Sequence, residues 1–231
     1  MSEPERVALI AGTTGLIGWH LVRKLLMSPL HSQVISVTRR AINGPNTMIS
    51  RHYKLRQIIT PLDDMEACLV DQNVKADDAY CTLGTTIKTA GSQQAFRHVD
   101  FDYVVSFARA AKRAGAKRFS LVTAVGANAK SPIFYSRVKG EVEDAVSELG
   151  FETVQIFRPS MLLEERKESR PFEATARLLM PMINPFLFGR ASIYSGIDPE
   201  RVAMAMVKAA SEEVHGRRVY YYDEMMQLGR L

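Results

Sequence analysis

Arg6-Val-Ala-Leu-Ile-Ala-Gly12-Thr-Thr-Gly15-Leu-Ile-Gly18 is the stretch on which the reading of this chain turns. Its first half is a short apolar run closed by glycine, the pattern of a buried strand. From Leu16 the period changes. Leu16, Ile17, Leu21, Val22, Leu25 and Leu26 recur at helical spacing, and Pro29 lies beyond the stop. A strand, a glycine-rich turn and a helix therefore follow one another directly. Glycines at such a junction have mechanical purposes: one allows the tight turn, one lets backbone approach a pyrophosphate, and one lets helix and strand pack closely. The phosphates then sit on the free N–H groups and positive dipole end of the helix. The spacing here is G-x-x-G-x-x-G. Its value comes from its position after the first strand and at the start of a helix. Gly12, Thr13, Thr14, Gly15, Leu16, Ile17 and Gly18 are the expected dinucleotide turn.

The next predicted strand, Gln33-Val-Ile-Ser-Val-Thr38, ends at Arg39-Arg40. An acidic residue there would hold the ribose 2′-hydroxyl of NAD. Arg39 and Arg40 suit the 2′-phosphate of NADP instead, through charge-assisted bonds, although two exposed surface arginines would look the same in the sequence. NADP(H) is the expected cofactor.

Alternation continues down the chain. A weak strand is expected around Met48 to Gln57, a short helix over Leu62 to Val70, a strand at Ala79-Tyr-Cys-Thr-Leu83 and a long helix over Gly91 to Gly115. A strand at Phe119-Ser-Leu-Val-Thr123, a helix over Pro132 to Leu149 and a strand at Thr153-Val-Gln-Ile-Phe157 follow. This order predicts an α/β Rossmann fold, a doubly wound parallel sheet with helices on both faces. After Pro159 the rhythm loosens. Pro171, Pro181 and Pro185 interrupt a Met- and Phe-rich stretch, Asp198 to Ala210 reads as an amphipathic helix, and Arg218-Val-Tyr-Tyr-Tyr222 as a late strand. Residues 1–231 are read as one dinucleotide-binding domain, with a small substrate-side cap drawn mainly from 160–231. Phe172, Phe186, Phe188 and Tyr194 are its apolar candidates.

Tyr135-Ser-Arg-Val-Lys139 places a tyrosine and a lysine four residues apart, on one helix face. A free phenol, with a pKa of about 10, exchanges protons poorly at neutral pH. A neighbouring ammonium favours the phenolate and brings it nearer to useful acid–base chemistry. Such pairs are common by chance. This one gains weight from lying just after the fifth predicted strand.

With the glycine turn and Y-x-x-x-K in this order, the chain resembles the short-chain dehydrogenases/reductases. Within them it is most similar to the atypical branch that contains a Tat-interacting tumour-suppressor oxidoreductase. The segments that carry this are Cys81-Thr-Leu-Gly-Thr-Thr86, Val99-Asp-Phe-Asp-Tyr-Val104, Tyr135-Ser-Arg-Val-Lys-Gly-Glu-Val-Glu143 and the stretch from Phe157 to Pro171. The resemblance implies that Thr14, Gly15, Leu16 and Ile17 contact the pyrophosphate, and Arg39 and Arg40 the 2′-phosphate. It puts Leu83 and Gly84 beside the adenosine ribose, and Leu162 and Arg170 over the nicotinamide end. It makes Tyr135 and Lys139 the catalytic pair. A third member, a hydroxyl that orients the substrate carbonyl, falls on Thr123, with Ser120 as fallback. Many relatives have two hydroxyl residues where this chain has Thr123-Ala124. A homodimer through the long helices and a regulatory protein partner also follow from the resemblance.

Composition narrows the alternatives. Hydrophobic residues make up 46% and charged residues 24%, ordinary for a globular protein. No apolar run approaches the roughly 18 residues of a membrane span. The net charge of +5 is spread among acidic residues and not massed, so no nucleic-acid partner is expected. The polar, acidic N-terminus is not a secretory signal, and a cytoplasmic location is expected. Two cysteines and five scattered histidines offer no metal-ligand spacing, so no metal is expected. Asp63-Asp64 and Asp77-Asp78 read as caps and solvated charges. The expected function is an NADP(H)-dependent oxidoreductase acting on a small-molecule carbonyl or alcohol. The rivals are a non-catalytic NADPH-binding regulator and, lower, a nucleotide-sugar epimerase or dehydratase.

Overall fold

The computed structural model describes residues 6–42, 47–163 and 189–230. Seven strands form one parallel sheet: β1 (Arg6–Ala11), β2 (His31–Thr38), β3 (Leu55–Ile59), β4 (Asp78–Cys81), β5 (Arg118–Val122), β6 (Thr153–Phe157) and β7 (Gly216–Tyr220), in the order β3-β2-β1-β4-β5-β6-β7. Parallel neighbours need crossovers, and right-handed crossovers place the helices on alternate faces as the winding reverses.

One face is covered by α3 (Met65–Asp71), α6 (Tyr103–Arg113) and α7 (Phe134–Ser147), whose Met65, Leu69, Phe107, Ala111, Val142 and Val146 are buried. The other is covered by α1 (Leu16–Met27) and two C-terminal helices, α8 (Pro199–Ala209) and α9 (Tyr222–Leu228), through Leu21, Val22, Leu25, Val202, Met206 and Met225. Both faces of the sheet are therefore dry, which is why its central strands read as continuous apolar runs. Of the C-terminal third, β7 and α8 belong to these layers: β7 extends the sheet, and α8 packs on α1. The start of α8 is built locally, with Asp198 accepting from Glu200 N at 2.7 Å and Pro199 in the first turn.

Two elements differ from the sequence expectation. The weak strand is found at Leu55–Ile59, with a short helix α2 at Thr47–Ser50 before it. The helix expected over Gly91 to Gly115 is divided into α5 (Gln93–Arg97), a π-helical turn (His98–Asp102) and α6, and a short helix, α4 (Ile87–Ala90), precedes it. Gly91, at φ +84°, closes α4 in the left-handed conformation that suits glycine.

Candidate active site at the sheet switch point

Because all strands are parallel, their C-terminal ends share one edge of the sheet. The winding reverses between β1 and β4, the point at which doubly wound sheets take their ligands. Gly12, at the end of β1, has φ +91°, and a Cβ on it would lie 2.6 Å from the Thr82 backbone. Gly18 is tighter. A Cβ there would lie 2.0 Å from Gly12 O and 2.7 Å from Thr82 Oγ1. Between them Gly15 N donates to Gly12 O at 3.0 Å, and Gly15 caps α1 with no side-chain hydrogen bond. Thr14 and Gly15 are exposed, Leu16 is half-buried, and Ile17 packs into the core. Thr13 is buried and hydrogen-bonds Ser36 Oγ at 3.0 Å, tying the turn to β2. A helix start with no side-chain cap, entered through exposed Thr14 and Gly15 at this switch point, fits a pyrophosphate.

Arg39 and Arg40 follow β2 on the same edge, and both are exposed. Neither makes an ion pair among the described residues. Thr38 Oγ1 donates to Arg40 O at 2.8 Å and fixes the backbone there. The charge of Arg39 reaches Tyr103, whose phenol is raised by burial and by its bond to Asp63 and is lowered in part by Arg39. His98 lies beside it, its ring 4.3 Å from that of Tyr103 and bonded to both Asp102 and Asp63.

Tyr135 and Lys139 project from α7. Tyr135 is half-buried, with its ring 5.5 Å from that of Phe96. Lys139 is buried, and its Nζ lies 2.7 Å from Asp100 Oδ1. Burial of the ammonium pulls its pKa down. The Asp100 carboxylate, helped by Tyr135 and Cys81, more than offsets that and leaves it above the ordinary lysine value. The other oxygen of Asp100 accepts from Thr85 N at 2.8 Å. Gly84 borders both groups: a Cβ on it would be 3.4 Å from Asp100 Oδ1 and 3.7 Å from Lys139 Nζ. The loop carrying Leu83 and Gly84 is thus brought against Lys139 and, through Thr82, against the glycine turn.

Thr123 is engaged within the protein. It is buried, and its hydroxyl donates to Glu143 Oε1 at 2.6 Å. A hydroxyl has one proton to donate, so in this geometry Thr123 has none for a substrate carbonyl. Ser120 is likewise engaged, donating to Gln155 Oε1 at 3.0 Å. Glu143 is fully buried and also takes Arg158 Nε at 3.0 Å, Arg158 Nη2 at 2.5 Å and Arg217 Nη2 at 2.8 Å. Leu162 is half-buried, joins Ile197 in an isolated parallel bridge and packs against the core under α1 and α8. Arg170, Phe172, Phe186 and Phe188 lie outside the described residues. Tyr194 is exposed, at the end of a short 3₁₀ turn, Gly189–Tyr194.

Sequence reasoning missed Asp100 and Glu143. Asp100 carried a signal. Phe96, Asp100, Val104, Phe107 and Ala111 share one helical stripe, and every one of them is buried. A carboxylate in an apolar register needs a buried partner.

The family model of the NAD dependent epimerase/dehydratase family matches residues 8–139. A protein named Fmp52, mitochondrial, from Emericella nidulans is 35% identical over 238 residues, covering 97% of this chain and 98% of that protein. Protein HTATIP2 from Rattus norvegicus is 36% identical over 168 residues, 73% of this chain and 67% of that protein. Among solved structures, an oxidoreductase of the short chain dehydrogenase/reductase family from Burkholderia thailandensis superposes with a TM-score of 0.69 at 20% identity, covering 93% of this chain and 90% of its own. A UDP-N-acetylglucosamine 4-epimerase from Methanobrevibacter ruminantium gives 0.68 at 14% identity, covering 96% and 80%.

These relatives overturn the cytoplasmic expectation, since the Fmp52 proteins are named mitochondrial. Organelle addresses are read by receptors and leave no trace in the fold. Among the described residues, no helix is long and apolar enough to cross a membrane. The Rossmann sheet, the glycine turn at its switch point and these relatives together show that the chain belongs to the NAD dependent epimerase/dehydratase family, in the atypical short-chain dehydrogenase/reductase group that includes HTATIP2 and Fmp52.

Proposed function

We propose that this chain is an NADP(H)-dependent oxidoreductase acting on a carbonyl or alcohol carbon of a small molecule. The observation that carries the reading is the convergence of three groups on one sheet edge: an uncapped helix start, two exposed arginines after β2, and the Tyr135–Lys139 face of α7. Backbone N–H groups at the start of α1 would hold the pyrophosphate, Arg39 and Arg40 the 2′-phosphate, and the 82–84 loop the adenosine ribose. When bound, NADP(H) supplies hydride exchange with the substrate carbon. Tyr135 passes a proton to, or takes one from, the substrate oxygen. Lys139, charged beside it, stabilises the phenolate and hydrogen-bonds ribose hydroxyls. Thr123 supports this machinery through Glu143. Relatives named for mitochondria support a mitochondrial location for this chain as well.

The test is NADPH oxidation across a panel of aldehydes and ketones, wild type against Tyr135→Phe. The reading expects turnover on some member of the panel, lost by about a hundredfold or more in the variant, with NADPH affinity unchanged. A non-catalytic NADPH-binding regulator is the second reading. It is favoured by one observation: Thr123 is tied to Glu143, and the neighbouring Ala124 has no hydroxyl. Under that reading Tyr135→Phe changes neither cofactor affinity nor partner binding, and no carbonyl is turned over.

A further inference from the structure

Asp100 lies on the π-helical turn His98–Asp102, between α5 and α6. Such turns insert one extra residue per hydrogen-bonded ring and re-aim a side chain, and they cluster at functional sites. Here the side chain aimed inward is a fully buried carboxylate that no cap or turn requires. One oxygen accepts from Thr85 N at 2.8 Å, and the other lies 2.7 Å from Lys139 Nζ. An ammonium has three donors, so pairing with Asp100 leaves Lys139 donors for other partners.

The energetics explain why a carboxylate stands there. A lysine as buried as Lys139, left alone, gives up its proton, and buried lysines titrate as low as about 5 to 6. A neutral amine could not stabilise a phenolate. We propose that Asp100 is the positioning residue of this site: its carboxylate keeps Lys139 in the ammonium form and ties it to the 82–85 loop, so that the loop beside the cofactor and the proton-handling pair are set together. This rests on the reading of Lys139 as a working group, and it adds a residue from a third element of the fold. Among the described residues, the titratable groups acting on Lys139 are Asp100 from the π-helical turn, Tyr135 from its own helix and Cys81 from β4, and Asp100 is the carboxylate of the three.

The experiment is an NMR titration of protein carrying ¹³Cε-labelled lysine, with the Lys139 signal assigned by its loss in Lys139→Arg. Wild-type Lys139 is expected to titrate above the ordinary lysine value of about 10.4. In Asp100→Asn it should drop by about one unit or more, because burial then acts unopposed. The amide oxygen of Asn still accepts from Thr85 N, so a merely structural role would leave the titration in place. A wild-type Lys139 that titrates at or below the ordinary value overturns the proposal, even if the variant fails to fold. An unchanged titration in folded Asp100→Asn does the same. The lysine titration decides the pair whether or not NADPH binds, so failure of the cofactor reading would be seen separately.

Discussion

The hydroxyl of Thr123 donates to Glu143 Oε1 across 2.6 Å, inside a fully buried cluster where Glu143 also binds Arg158 and Arg217. In this geometry the hydroxyl expected to orient a substrate carbonyl is held by a buried carboxylate. Thr123→Val should destabilise the protein by about 1 to 3 kcal/mol, the cost of losing a buried hydrogen bond to a charged group. NADPH affinity should stay within about twofold. Urea unfolding and a fluorescence titration measure the two. A variant of undiminished stability whose activity alone disappeared would return Thr123 to the substrate.

Gly18 and Gly12 are in contact with no room for a methyl group. Gly18→Ala puts a Cβ 2.0 Å from Gly12 O, so the phosphate turn must open. NADPH affinity should fall by roughly tenfold or more, about 1.4 kcal/mol. Gly150 is the control. Its φ is +75° with open space around it, so Gly150→Ala should cost about 1 kcal/mol of stability from backbone strain and leave NADPH binding alone. Equal losses of affinity in both variants would contradict the assignment of the turn.

The two cysteines should differ sharply in reactivity. Burial pushes the Cys81 thiol up to about 12, against smaller opposing effects from the Leu83 backbone and Lys139. Cys68 is partly exposed on α3. The thiolate is the reactive form, so iodoacetamide at pH 8 should label Cys68 and leave Cys81 unmodified in the native state. Mass spectrometry of the peptides reads this directly, and early labelling of Cys81 would contradict the packing around β4.

Fold and site were unequally legible in the sequence. The β1–turn–α1 unit was readable because glycine, apolar run and change of period coincide within residues 6–18. β3 was displaced because an edge strand carrying Arg56 and Gln57 has only half a buried pattern. The division of the long helix was hidden because a π-helical turn uses ordinary helix formers; only the burial of Asp100 betrays it. The surroundings of Thr123 were hidden for a different reason. A hydroxyl at a strand end looks the same whether it faces a crevice or a buried carboxylate twenty residues on.

His98 gives the site edge a pH dependence of defined sign. Its hydrogen bond to Asp102 raises its pKa above the usual value of about 6.5, against a small pull from burial, and Asp63 adds to the rise. A folded-state pKa above the unfolded one means its stabilisation is complete below about pH 6.5 and is lost as pH rises through the folded value. The ring is half exposed, so solvent screens the effect and it is small. Comparing the pH dependence of Tm in wild type and His98→Gln should show the difference between them shrinking from pH 6 to pH 8. A difference that grew with pH would contradict the Asp63–His98–Asp102 arrangement.

On the proposed function, the switch point between β1 and β4 takes NADP(H) through the glycine turn and the arginines after β2. The most direct measurement is a titration of purified protein with NADPH and with NADH, followed by tryptophan and nicotinamide fluorescence, in wild type and in Arg39→Ala/Arg40→Ala. NADPH should bind more tightly than NADH, and its affinity should fall at least about tenfold in the double variant, a loss of about 1.4 kcal/mol, with NADH affinity little changed. Equal affinity for both nucleotides, unmoved by the substitutions, would contradict the role of the arginines, and no binding of either would contradict the account as a whole.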